Sequence, residues 1–179
     1  MKKFILWVLC CVTGFIWSKE MDIKANIGIV DKNMQAVAQK LQVLLADEYV
    51  LYTKTLKFHW NIEGSGFGAL HVFLKEQYEQ IFDFVDDVAE RVRIFGITSN
   101  GTLSEFSKNT RLSEQPGENP GDMNMLSLLL ADHESIIRSV RSDIEAVSTL
   151  GDEGTSNFLT DLIEKHEKMA WMLRAHVSK

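Results

Sequence analysis

Four stretches of helical period, separated by two short glycine-bearing turns and one long proline-bearing connection, constrain this chain more than any other feature. In the first stretch, Met34, Val37, Ala38, Leu41, Leu44, Leu45, Tyr52 and Leu56 recur at the spacing of one helix face. Asp31 is placed to cap its start, and the glycines from Gly64 to Gly68 end it. The second runs from about Gly66 to Phe95, with Leu70, Leu74, Tyr78, Ile81, Phe82, Val85, Val88, Ala89 and Val92 on its face and Gly96 beyond its end. From Gly96 to Gly121 the pattern breaks: this segment holds both prolines, Pro116 and Pro120, together with Asn100-Gly101 and many polar residues. A third helix is predicted from about Met123 to Thr149 and a fourth from about Gly154 to Val177, with Gly151–Gly154 as the turn between them.

Two helix pairs with short internal turns, joined by a connection of roughly 25 residues, predict an all-α, four-helix bundle. The long crossover falls between the second and third helices, which is ferritin-like connectivity, and it has room for a short helix near Leu103–Lys108. The chain of 179 residues is 45% hydrophobic, enough for one domain that buries roughly 70% of its unfolded surface. That composition excludes a disordered chain. Two cysteines exclude a disulfide scaffold, and a net charge of −6 disfavours a uniformly basic nucleic-acid binder.

Residues 1–20 differ from the rest. Lys2 and Lys3 precede an apolar run from Phe4 to Trp17, which is signal-peptide-like and short for a membrane span. No small-x-small cleavage site follows it. Either the segment is a secretory leader, or the functional chain begins at Met21 and the segment reflects the choice of start site. Both cysteines lie there, and Lys2, Lys3, Lys19 and Glu20 together contribute +2, so residues 21–179 carry −8 and no cysteine.

Five histidines invite a metal reading. A ferritin-type di-iron site inside one subunit uses Glu-x-x-His, because i and i+3 share a helix face. The residues three before each histidine are Leu56, Gly68, Leu130, Ile163 and Leu173, which excludes that arrangement. A different set survives. His59 ends the first helix on its apolar stripe, His71 opens the second, and Asp86 and Glu90 form an i, i+4 carboxylate pair further along. Imidazoles and carboxylates suit iron. His71 and Asp86 stand about 22 Å apart along a continuous helix, so they can share an ion only across two chains packed about a two-fold axis. The plain alternatives are a hydrogen-bonded core histidine and a solvated DDVAERVR face, with Glu90 paired to Arg91 or Arg93.

The string LADEYVLYTKTLKFHWNIEGSGFGALHVFLKEQYEQIFDFVDDVAERVRIFG resembles the signature of the Dps family, the mini-ferritins called DNA-binding proteins from starved cells. The likeness continues through GDEGTSNFLTDLIEKHEKMAWMLRA and covers the chain from about residue 21 to its end. It implies that His59 and His71 are ligands from one subunit, with Asp86 and Glu90 contributed by its two-fold partner. It further implies a hollow dodecamer that oxidises Fe2+, preferentially with hydrogen peroxide over oxygen, and stores the ferric product. Trp60 matches a tryptophan beside the site, either a scavenger of oxidising equivalents or a packed indole. The location implied is cytoplasmic and nucleoid-associated, or exported if residues 1–20 are a leader, with no membrane role for the domain itself.

One departure stands out. Family members usually carry a carboxylate four residues after the second histidine, where this chain has Lys75. A protonated ammonium cannot ligate iron and repels it. Three outcomes follow: Lys75 turns outward and the remaining ligands hold one iron weakly; Glu76 or Glu79 supplies the missing oxygen; or Lys75 pairs with Asp86 or Glu90 across the dimer and impairs the site. In the first two cases the chain is a weakened ferroxidase. In the third it is a non-enzymatic shell or a nucleoid-associated, DNA-protecting one. Direct DNA binding is disfavoured, because Lys24 alone precedes Asp31 in MDIKANIGIVDK and Lys179 alone ends the chain. Asp152 and Glu153 are candidates for an acidic iron channel, or else favourable charges at a helix N-terminus.

Overall fold

A computed structural model describes residues 24–178; the leader-like segment 1–20 lies outside them. Five helices follow in order: α1 (Asp31–Asn61), α2 (Phe67–Ile94), α3 (Leu103–Asn109), α4 (Asp122–Thr149) and α5 (Glu153–Val177), with no strand among the described residues. The two long hairpins, α1–α2 and α4–α5, pack as a four-helix bundle, and α3 sits within the crossover against α1. No helix among the described residues is long and apolar enough to cross a membrane.

The helix stripes read from the sequence form most of the core; Phe82, read as part of the α2 stripe, is 52% exposed instead. Leu41, Leu44, Leu51 and Phe58 of α1 meet Leu74, Ile81, Val88 and Val92 of α2, closed over by Leu126, Leu129, Ile136 and Val140 of α4 and Leu159, Leu162 and Leu173 of α5. Each such side chain contributes about 1.5–3 kcal/mol on burial. The start of α1 differs from expectation. Val30 occupies the N-cap position with no side-chain hydrogen bond, and Asp31 is instead the first helical residue, where its charge favours the helix dipole. The start of α3 is a full capping box: Thr102 Oγ1 accepts from Glu105 N, and the Glu105 carboxylate accepts from Thr102 N. Three hydrogen bonds to that carboxylate, from Gly101 N, Thr102 Oγ1 and Thr102 N, lower the Glu105 pKa.

Buried charges of α1 strap the crossover to the bundle. Asp47 accepts from Thr110 Oγ1 at 2.9 Å, Arg111 N at 2.6 Å and Arg111 Nε at 2.7 Å. Lys54 donates to the Ser113 carbonyl at 2.6 Å and pairs with Asp132 of α4 at 2.5 Å. Burial raises the Asp132 pKa, and the hydrogen bond and charge of Lys54 oppose that rise. The long polar crossover is thereby held along α1.

Candidate metal centre

His59 lies in the last turn of α1 and His71 near the start of α2, brought together by a tight connection through Gly64, whose φ of +96° suits glycine. His59 Nδ1 stands 2.8 Å from the His71 carbonyl oxygen, and His71 Nδ1 2.9 Å from the His59 carbonyl oxygen. Carbonyls only accept, so both Nδ1 atoms carry protons and donate, which selects the tautomer whose neutral ring holds its lone pair on Nε2. The His59 carbonyl belongs to the last turn of α1, where no helical N–H can reach it, so the His71 ring also completes the helix end. The two rings stack with centroids 3.8 Å apart and planes inclined by 21°. Both residues that the spacing selected are thus held in one tautomer and one orientation by backbone partners, which is how metal-binding histidines are commonly fixed.

Asp86 and Glu90 are exposed on α2, remote from the imidazoles of their own chain by the 15-residue separation already described. No group of three or more His, Cys, Asp or Glu side chains among the described residues is arranged to hold a metal ion. Asp86 instead lines a groove between α2 and α5 together with Asp83, Asp87, Lys165 and Lys168. One chain therefore presents two imidazole nitrogens at one end of α2 and two carboxylates toward the other.

Lys75 points to solvent and forms an i, i+4 ion pair with Glu79 at 3.5 Å; Glu76 is exposed. Trp60 follows His59 but is 67% exposed. Asp152 is not an open channel acid. It is 2% exposed, caps α5 through Thr155 N at 2.9 Å, accepts from Thr155 Oγ1 at 2.5 Å, and pairs with Arg91 at 3.3 Å. With its oxygens so committed, only Glu153 of that pair faces solvent, where it accepts from Ser148 Oγ.

A second polar cluster went unread in the sequence. Glu48 of α1, His166 of α5 and His133 of α4 form a fully buried chain through the bundle centre: Glu48 Oε1 to His166 Nε2 at 2.9 Å, then His166 Nδ1 to His133 Nδ1 at 2.9 Å. Burial, then the charge on His166, pushes the His133 pKa well below 6.5. Glu48 Oε2 and Gln77 Oε1 of α2 are buried with no hydrogen-bond partner. The signal was available: Glu48, His133 and His166 all fall in phase with the apolar stripes of their helices.

Residues 38–179 match the ferritin-like domain family. The chain is 39% identical over 155 residues to an uncharacterized low temperature-induced protein of Nostoc sp., covering 86% of this chain and 87% of that one. It is 33% identical over 138 residues to the DNA protection during starvation protein of Helicobacter pylori, covering 77% and 96%. The Dps protein of Vibrio cholerae O1, described as a member of a broad superfamily of ferritin-like diiron-carboxylate proteins, superposes with a TM-score of 0.82 at 29% identity, over 87% of this chain and 98% of that one. A bundle with a long crossover, an imidazole pair at its first turn and these relatives agree: the chain belongs to the Dps family of ferritin-like proteins.

Proposed function

We propose that this protein oxidises Fe2+ and stores the ferric product in a homo-oligomeric shell, a dodecamer with sites at its two-fold interfaces, using hydrogen peroxide in preference to oxygen. The observation that carries this reading is the reciprocal bonding of His59 and His71, which leaves both Nε2 lone pairs free for a cation. Asp86 and Glu90 of the partner subunit supply the oxygen ligands, since those of the same chain stand too far away. Lys75, turned outward onto Glu79, leaves a single weakly held ferrous ion. Protection against oxidative and starvation stress follows from consuming peroxide and iron together, in the cytoplasm, and does not require direct contact with DNA.

Iron loading tests this. The full-length protein, given Fe2+ and peroxide anaerobically, should form a ferric core inside the shell, faster than in air. Combined His59→Ala and His71→Ala substitutions should abolish core formation while leaving assembly intact by light scattering. A wild-type shell that forms no core would instead support the second reading, a non-enzymatic, DNA-protecting shell whose site is impaired by Lys75. That reading draws on the half-exposed ammonium one turn from His71.

A further inference from the structure

The chain has three tyrosines, and all of them stand in one contiguous array that begins at the imidazole pair. Tyr78 meets the His59 ring edge-on, with centroids 5.2 Å apart at 65°. Tyr52 lies 6.2 Å from Tyr78, and Tyr49 6.0 Å from Tyr52. The array stops where Tyr49 stacks on Phe106 at 4.3 Å, because phenylalanine is far harder to oxidise than a phenol. Each tyrosine is half-buried. Tyr52 and Tyr78 also line one cavity with the carboxylates of Glu79 and Asp83, so acceptors for phenolic protons stand in the same wall.

We propose that Tyr78 is an electron donor to the iron site, and that Tyr52 and Tyr49 carry the resulting oxidising equivalent away from it. This rests on the ferrous-oxidation reading above. With Lys75 in place of a carboxylate, one ferrous ion occupies each site and supplies one electron, whereas cleaving the O–O bond of peroxide to water consumes two. Tyr78 supplies the second. In balance, one Fe2+, one tyrosine phenol, one hydrogen peroxide and one proton give one Fe3+, one phenoxyl radical and two waters. The phenol loses its O–H proton together with the electron, and both peroxide oxygens leave as water. No hydroxyl radical is released. A hydrogen equivalent, one electron and one proton, passed from Tyr52 to Tyr78 and then from Tyr49 to Tyr52, restores the phenols of Tyr78 and Tyr52 and leaves the phenoxyl radical on Tyr49 beside Phe106, away from the metal.

Two measurements decide the matter separately. First, full-length protein holding one Fe2+ per site is mixed with one equivalent of peroxide and frozen for electron paramagnetic resonance. The expected result is a phenoxyl signal and one peroxide consumed per ferrous ion; Tyr78→Phe should lose the signal and release spin-trappable hydroxyl radical. Absence of any Fe2+ oxidation in the wild type would remove the ferroxidase reading. Oxidation without a phenoxyl signal, or with one unchanged in Tyr78→Phe, would overturn the donor role. Second, the iron-free protein is oxidised by one electron with a photogenerated ruthenium(III) polypyridyl complex. The radical should settle on Tyr49, and Tyr52→Phe should hold it on Tyr78 instead. A radical distribution identical in wild type and Tyr52→Phe would overturn the relay, whatever the iron chemistry shows.

Discussion

Lys75 holds its ammonium against Glu79 one turn further along α2, with both side chains about half exposed. An exposed pair of this kind is worth only about 0.3–0.5 kcal/mol, so removing it barely alters folding. Lys75→Glu therefore reports on the metal rather than on stability: it places a carboxylate one turn from His71 and should tighten Fe2+ binding by about tenfold, or 1.4 kcal/mol, with faster peroxide-driven oxidation. Titration calorimetry with Fe2+ under argon reads this; unchanged affinity and rate would mean that Lys75 does not limit the site. His59 and His71 were legible because imidazoles at either side of a glycine-rich turn must come close. Their tautomers were not, since these depend on two carbonyl groups whose positions only the folded turn defines. Asp47, Glu48 and Lys54 were harder still. Charged residues are usually solvated, and nothing in one chain's sequence says which of them find partners 60 or more residues away.

At the scale of elements, α1 is both a wall of the bundle and the anchor of the crossover. Asp47 binds the Thr110–Arg111 backbone and side chains, and Lys54 and Lys57 donate to the Ser113 and Gln115 carbonyls. Asp47→Ala removes the buried carboxylate shared by Thr110 Oγ1, Arg111 N and Arg111 Nε, while the exposed Arg111 guanidinium keeps water and Asp143 as partners. The expected cost is about 1–3 kcal/mol in urea unfolding, with new protease sensitivity around residues 110–117. A loss below 1 kcal/mol would show that the strap is replaceable by water. Periodicity located the four long helices within one or two residues of their observed ends, since a stripe of buried side chains leaves little freedom of register. It misjudged the cap of α1, because Asp31 as a cap and Asp31 as a first-turn acid look alike in sequence. The short α3, expected near Leu103–Lys108, spans Leu103–Asn109, and its capping box from Thr102 and Glu105 emerged only in the folded chain.

For the molecule as a whole, Glu48, His166 and His133 join α1, α5 and α4, so both hairpins depend on one buried polar chain. His133 resists protonation in the fold, whereas in the unfolded chain it takes up a proton near pH 6.5. Stability is then complete above pH 6.5 and falls as pH drops from there toward the lowered folded-state value. Thermal unfolding from pH 7.5 to 5 should show this fall, and His133→Gln should flatten it; equal slopes for the two proteins would assign the acid sensitivity elsewhere. On the proposed reading, a charge of −8 on residues 21–179, repeated on every subunit of a shell, repels phosphate. A gel-shift at low salt without Mg2+ should leave duplex DNA unretarded, and retention would reveal a basic surface formed by assembly. The stacked imidazoles carry one last consequence. On the proposed reading each chain holds half of every ligand set, so ferrous ion acts as a reversible cross-link whose chemical potential enters the association equilibrium. At 100 times its dissociation constant it would add about 2.7 kcal/mol per site to holding two subunits together, making iron supply itself a term in how much shell exists.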